Sequence, residues 1–214
     1  MRKTRYHIED TLFGFCVKDR VMGYDFEVDL SEATEFRACL LIQNPQSNKK
    51  VIVTGRDFDE YPVININPEN QYIEIGAGLG GFVPWMVANH KMKHKPIVIE
   101  QLNYDAAEVL LHIGRDVAQH KGYDKNLLDR IEKFIQRADT YTYSNDINLI
   151  TLPLGWALNT FPQLKGSADV VIDHLASTYY TQVEFPLSYK DFNARRHIYD
   201  MRISLLKPNG IIVE

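Results

Sequence analysis

The sequence YIEIGAGLGGF, at residues 72–82, joins a short apolar strand to a glycine-rich turn and then to the start of a helix. Glycine has no Cβ, so Gly76, Gly78 and Gly80 permit a tight turn and let the backbone approach a bound ligand closely. In open parallel α/β sheets such a turn lies at the carboxyl edge, where nucleotide-like ligands bind. The stretch therefore predicts a ligand site at the end of a first core strand.

The remainder of the chain alternates short β-branched runs with longer helical patterns, which predicts a Rossmann-like α/β fold with a doubly wound, mainly parallel sheet. The predicted strands cover residues 72–75, 97–100, 147–152, 170–173 and 211–214. The predicted helices cover residues 82–90, 105–119, 125–138 and 188–206, the last with an apolar face of Phe192, Ile198, Ile203 and Leu206 and a turn at 207–210. The long connection between residues 104 and 145 fits either a lid or an enlarged helical layer.

Residues 1–66 have a different character and are predicted as a β-rich N-terminal segment, with strands at 13–17, 26–30, 38–43 and 50–54. A turn containing Pro68 separates this segment from the predicted α/β core at 67–214. The predicted core contains the pattern of the sheet as far as its fifth strand. Three expectations stay open for the edge of that strand: the sequence is a fragment, the strands before residue 65 cover the edge, or a second chain pairs with it in a homo-oligomer.

The composition is that of an ordinary globular protein, with 45% apolar and 24% charged residues among 214. The formal charge of -4 disfavours general binding to nucleic acid or anionic lipid. Cys16 and Cys39 have no CxxC or zinc-type spacing, so the sequence predicts no disulfide framework and no metal site. We expect a cytoplasmic protein outside the membrane, since no signal-peptide pattern or apolar run of about 18 residues occurs.

Two carboxylates accompany the glycine-rich turn. Glu100 ends the second predicted strand, where a carboxylate can accept hydrogen bonds from both ribose hydroxyls of an adenosine. The GxGxxG spacing of Gly76, Gly78 and Gly81 leaves a dinucleotide open as the ligand. Glu74 favours a different ligand, because its negative charge disfavours pyrophosphate and attracts the ammonium group of a methionine-type amino acid tail.

The pattern of Glu74 followed by GxGxG resembles the first motif of the class I S-adenosylmethionine-dependent methyltransferases. Residues 99–101, IEQ, are similar to the second motif, residues 167–172 to the start of the fourth strand, and LLKPNGI at 205–211 to the LLKPGG turn before the fifth strand. This resemblance covers residues 71–214 and implies S-adenosylmethionine as the cofactor. The residues that it implies as cofactor contacts in these first two motifs are Glu74, Gly76, Ala77, Gly78, Gly80, Glu100 and Gln101.

The third strand departs from the family, which often ends it with Gly-Asp-Ala. One match places residues 155–158, GWAL, at that strand end, where Trp156 would stack on adenine beside Ala157. The competing match places residues 151–153, TLP, at the strand end and leaves Trp156 in the core of a loop. Asp173, at the end of the fourth strand, is also a candidate cofactor contact.

Methyl transfer from a sulfonium is an in-line displacement, for which proximity and alignment supply much of the catalysis. The expected activity is transfer to an oxygen or nitrogen of a small molecule. His174 is the candidate base that removes the acceptor's proton, and Asp173 would orient it or line the pocket. Tyr179 and Tyr180 are candidates for an acceptor wall. Packing roles remain the alternative for each of these residues.

Two other functions use the same glycine-rich turn. A nicotinamide-dependent oxidoreductase would bind its dinucleotide through Gly76, Gly78, Gly81 and Glu100. A catalytically inactive adenosine-binding or interaction subunit would keep ligand binding without turnover, because a fold does not determine activity. Stronger binding of NAD than of S-adenosylmethionine would favour the oxidoreductase over the methyltransferase. Ligand binding without turnover would favour the inactive subunit.

Overall fold

The computed structural model describes residues 7–11, 14–21, 24–29, 38–44, 49–55, 65–100, 104–123, 125–173 and 192–213. The chain forms two compact units. The first contains Met1–Glu60, Gly78–Gly81 and Leu102–Tyr143, and the second contains Tyr61–Ala77, Phe82–Gln101 and Ser144–Glu214. The boundary between residues 66 and 67 inferred from sequence stays a prediction.

The described residues form ten strands and five α-helices, numbered in chain order. The strands are β1 His7–Thr11, β2 Gly14–Val21, β3 Tyr24–Asp29, β4 Ala38–Asn44, β5 Lys49–Gly55, β6 Tyr72–Ile75, β7 Ile97–Ile99, β8 Asn148–Ile150, β9 Ala168–Asp173 and β10 Leu206–Val213. The helices are α1 Phe82–Asn89, α2 Tyr104–His120, α3 Lys125–Tyr143, α4 Leu154–Thr160 and α5 Phe192–Leu205, with a short 3-10 helix at Pro162–Leu164. Among the helices described here, none combines the length and the hydrophobicity that a membrane-spanning segment needs.

In the first unit, β1 to β5 form an antiparallel sheet in sequence order. The helices α2 and α3 pack against each other, and α2 also packs against β2 and β3. Each helix buries residues at intervals of three or four, the spacing that places side chains on one face. On α3 this buried face includes Ile131, Ala138 and Tyr141, and the helix continues to Tyr143, beyond the predicted end at 138.

In the second unit, five parallel strands are ordered β8-β7-β6-β9-β10 across the sheet. In terms of the core strands, this is the order third, second, first, fourth, fifth. The sheet and its helices confirm the predicted α/β Rossmann-like fold. The strand order reverses between β6 and β9, and in open parallel sheets ligands bind at the carboxyl ends of the strands beside such a switch point.

One hydrophobic cluster of the second unit lies on the face of the sheet that α4 and α5 cover. Ile73 and Ile75 of β6 are fully buried on this face. Side chains alternate between the two faces of a strand, so Glu74 points to the opposite face. Residues packed in this core from the other elements include Ile99, Leu154, Ala157, Leu158, Leu164, Ala168, Val171, Ile198, Met201 and Leu205.

The helix α5 differs from its sequence prediction in its buried face. Ile198, Met201 and Leu205 are buried, with the spacing of one helical face, whereas the predicted core residue Ile203 is 42% exposed. The prediction for Ile203 was wrong because its position, five residues after Ile198, is rotated well away from that face. The predicted turn at 207–210 instead lies within the bounds of β10, whose register with β9 shifts between Leu206 and Ile211.

Asp169 connects the beginnings of three strands at the amino edge of the second unit's sheet. Its Oδ2 atom accepts hydrogen bonds from Lys207 Nζ at 2.6 Å and from the backbone N–H of Gln71 at 2.8 Å. The hydrogen bond from Lys207, followed by that from Gln71, lowers the pKa of Asp169 below its ordinary value. Both ionic side chains are partly exposed, so solvent screening limits what this pair contributes to stability.

We expect Lys207→Met to lower the free energy of unfolding by about 0.5 to 1 kcal/mol at pH 7. Because the folded-state pKa of Asp169 is depressed, the pair stabilises the fold above the unfolded pKa and loses this effect as pH falls through the folded pKa. The difference between wild type and variant should therefore shrink below about pH 4. Urea unfolding at pH 7 and pH 3 measures it, with Lys165→Met, at an exposed lysine, as the control. An equal difference at both pH values would contradict the assignment.

Candidate functional site

The carboxyl edge of the second unit's sheet is organised around the end of β6. Ile75 pairs with Ile99 of β7 on one side and with Asp173 of β9 on the other. The backbone N–H of Gly76 donates to the carbonyl oxygen of Ile99 at 3.0 Å. Glu100 is the next residue after Ile99, so the strand register brings Gly76, Glu100 and Asp173 to one edge.

The backbone leaves β6 through two glycines in the left-handed region. Gly76 has φ 65° and Gly78 has φ 54°. A residue with a Cβ is strained in this region, so the turn requires glycine at both positions. This geometry gives a physical reason for two of the glycines in the motif.

Three carboxylates lie at or beside this edge, and all are buried. Glu74 has no exposed surface, Glu100 is 6% exposed and Asp173 is 1% exposed. The backbone N–H of Glu100 donates to the carbonyl oxygen of Ile150 at 3.0 Å, which fixes its position beside β8. Buried carboxylates require charged or hydrogen-bonding partners. Each of these three has an interaction within the protein.

Arg202 of α5 binds Asp173 and was not predicted from the sequence. Its Nη1 atom donates to Asp173 Oδ2 in a buried ion pair. The signal that could have found it is its position on the buried face of α5, next to Met201 and four residues after Ile198. A charged residue on an apolar helix face requires a partner inside the fold.

This ion pair bears on the role predicted for Asp173. At least one of its carboxylate oxygens is engaged by Arg202, so the side chain anchors α5 to β9. The predicted partner His174 lies outside the described residues, as do Gln101, Tyr179 and Tyr180. Their proposed roles as base, cofactor contact and acceptor wall stay predictions.

The segment expected to contact adenine is helical. Residues Trp156 and Ala157 belong to α4, whereas β8 ends at Ile150, so residues 151–153 follow the strand, as the competing match expected. Ala157 is fully buried in the core, and its N–H donates to the carbonyl oxygen of Pro153 at 2.8 Å. Trp156 is 68% exposed, so its ring is accessible for stacking and is not part of a loop core.

The second half of the glycine-rich turn belongs to the first unit, where residues of α2 and α3 bind its carbonyl oxygens. Tyr104 Oη donates to Gly78 O at 2.7 Å. The other two contacts run from Arg137 Nη1 to Leu79 O at 3.3 Å and from Tyr141 Oη to Gly80 O at 3.1 Å. None of these three donors was predicted from the sequence, although two are tyrosines, whose hydroxyl groups usually require partners when buried.

Gly81 makes room for the side chain of Arg137. A Cβ at Gly81 would lie 2.7 Å from Arg137 Nε and 2.9 Å from its Cζ. These atoms belong to the flexible end of the arginine side chain, which would have to shift if residue 81 carried a Cβ. Gly81 is therefore a close contact of Arg137, and this contact does not distinguish between the possible ligands.

A separate groove of about 430 Å³ lies in the second unit, among residues near the amino edge of the sheet. Its lining includes Gln71, His94, Ser167 and Lys207, which precede or begin parallel strands, together with apolar side chains such as Phe161. The glycine-rich turn and Glu100 lie at the opposite, carboxyl edge. The groove therefore does not coincide with the predicted cofactor site.

Comparison of the chain with protein-family models finds no matching model, and comparison with curated proteins finds no significant match.

Removal of the arginine in the Asp173–Arg202 pair would leave a buried carboxylate uncompensated. We expect Arg202→Met to lower the free energy of unfolding by about 3 to 5 kcal/mol, measured by urea unfolding at pH 7. The additional change Asp173→Asn should recover part of this loss, because it removes the stranded charge. Arg196→Met is the matched control on an exposed position of α5 and should change stability by less than about 0.5 kcal/mol. A loss below about 1 kcal/mol for Arg202→Met would contradict a stabilising pair.

Proposed function

We propose that this protein binds S-adenosylmethionine and transfers its methyl group to an oxygen or nitrogen of a small molecule. The observation that carries the proposal is the buried carboxylate of Glu100 next to Gly76, at the carboxyl edge of a Rossmann-like sheet. Under this proposal the core is of the methyltransferase type and follows a β-rich N-terminal segment.

Glu100 fits the ribose of the cofactor. It follows β7, the strand adjacent to the glycine-bearing β6, and carboxylates at this position accept hydrogen bonds from ribose hydroxyls in adenosine sites. Burial strengthens such hydrogen bonds, because water does not compete for the carboxylate. The positive φ angles of Gly76 and Gly78 support a turn in which the backbone comes close to the ligand.

Glu74 favours S-adenosylmethionine over a dinucleotide. Its fully buried carboxylate lies two residues before Gly76, and it would attract the ammonium of an amino acid tail. The same negative charge would repel a pyrophosphate. An oxidoreductase that binds NAD is therefore the less favoured function, and an inactive adenosine-binding subunit is the third candidate.

The proposed contribution of this chain to methyl transfer is mainly the alignment of the acceptor atom with the methyl group. The cofactor supplies an electrophilic methyl group on a sulfonium, and the protein must hold the acceptor atom in line with it. Trp156, with its exposed ring on α4, is the proposed adenine contact. His174 is the proposed base for the acceptor's proton, and Tyr179 and Tyr180 are the proposed acceptor wall.

Calorimetric titration with S-adenosylmethionine, S-adenosylhomocysteine and NAD tests the proposed function. We expect saturable binding of the first two ligands and weaker or absent binding of NAD. Glu100→Gln should weaken binding by about tenfold or more, because a charge-assisted hydrogen bond to ribose is lost. Glu69→Gln is the control, since Glu69 is an exposed carboxylate of the same unit that contacts Lys93.

The outcomes of this titration separate the three candidates. Binding of NAD alone would favour an oxidoreductase function over a methyltransferase function. Binding of S-adenosylmethionine without turnover in a screen of small-molecule acceptors would support the inactive subunit. Equal affinity in wild type and Glu100→Gln would show that Glu100 does not bind the ribose, and would contradict the proposal.

A further inference from the structure

Three consecutive carbonyl oxygens of the glycine-rich turn are each held by a different side chain of the first unit. The acceptors are the carbonyls of Gly78, Leu79 and Gly80, and the donors are Tyr104, Arg137 and Tyr141. The two tyrosines come from different helices, α2 and α3, which pack against each other. The helix pair thus fixes the path of a segment that contains three glycines.

The two tyrosine rings also fix each other. Their centroids are 4.7 Å apart and their planes differ by 18°, which is a stacked arrangement. Tyr104 and Tyr141 are both nearly fully buried. The hydroxyl groups are therefore presented to Gly78 and Gly80 by a rigid pair rather than by mobile side chains.

The carbonyl contacts determine where the neighbouring amides point. In a trans peptide the N–H lies opposite the C=O of the same peptide plane. The N–H groups of Leu79 and Gly81 consequently point away from the hydroxyls of Tyr104 and Tyr141. Backbone N–H groups presented together by a turn bind anionic groups such as a carboxylate or a phosphate.

We propose that Tyr104, Tyr141 and Arg137 are positioning residues that hold Gly78–Gly81 ready for the carboxylate of the cofactor's amino acid tail. This inference rests on the proposed function and deepens it. A glycine-rich segment loses much conformational freedom when a ligand orders it, which weakens binding. Contacts that order the segment in the free protein remove that loss beforehand.

Tyrosine-to-phenylalanine variants test the hydroxyl groups while keeping the stacked rings. The variants are Tyr104→Phe, Tyr141→Phe and the pair together. Tyr143→Phe is the matched control, because Tyr143 is exposed, lies on the same helix as Tyr141 and donates to Asp105 at 3.4 Å instead of to the turn. The charges of Asp105 and Glu108 raise the pKa of Tyr143, so its hydroxyl is protonated at neutral pH. The control therefore removes a neutral hydroxyl group, as the test variants do.

The first readout is the NMR order parameter of backbone amides in the ligand-free protein, because an amide kept ready for a ligand has no hydrogen bond of its own that would slow its exchange. We expect the order parameters of Leu79 and Gly81 to fall from about 0.85, the value of rigid backbone, toward about 0.6 in each test variant. The amide of Ile73 in β6 serves as the internal reference and should not change relative to Tyr143→Phe. A general loosening of the fold would instead lower the reference value as well.

The second readout is the affinity for S-adenosylmethionine by calorimetry. We expect a decrease of about fivefold for each single variant and none for Tyr143→Phe. Unchanged order parameters at Leu79 and Gly81 would overturn the inference, and so would lower order parameters with unchanged affinity. If wild type binds NAD or no ligand instead of S-adenosylmethionine, the proposed function fails, and the order parameters alone then decide whether the tyrosines hold the turn.

Discussion

The parallel pairing of β6 with both β7 and β9 is the constraint on which the candidate site depends. Backbone hydrogen bonds set this register, and the register aligns the ends of three strands at Ile75, Ile99 and Asp173. A shift of one residue would turn every side chain of β6 to the other face of the sheet. Ile73 and Ile75 would then leave the apolar core, so packing of this core also fixes the position of Glu100 beside Gly76.

Buried charge distinguishes this edge from an ordinary sheet end. The described residues include four buried charged side chains, namely Glu74, Glu100, Asp173 and Arg202, all in the second unit. Asp173 and Arg202 bind each other and connect a strand to a helix. Such a pair stabilises less than its attraction suggests, because both charges lose hydration. The ion pair fixes the position of α5 against β9. If Asp173 takes part in chemistry, it does so while bound to Arg202.

The glycine-rich turn receives its conformation from two different sources. Its first residue is fixed by a strand contact, since the N–H of Gly76 donates to Ile99. Its later residues are fixed by side chains of the first unit, of which Tyr104 and Tyr141 make the shorter contacts. A turn rich in glycine has little conformational preference of its own. The helix pair α2 and α3 therefore supplies order that the turn's own sequence cannot supply.

Local patterns in the sequence were enough to predict the strand Tyr72–Ile75 and the start of α1 at Phe82, because apolar runs and glycine turns act over a few residues. The same patterns indicated an α/β fold and the end of β7 near Glu100. Tertiary structure alone decided the pairing of Asp173 with Arg202 and of Gly80 with Tyr141, partners separated by 29 and 61 residues. It also decided that Trp156 lies on a short helix instead of at a strand end. These features depend on which faces meet after folding, and the periodicity of a single segment contains no information about its partner.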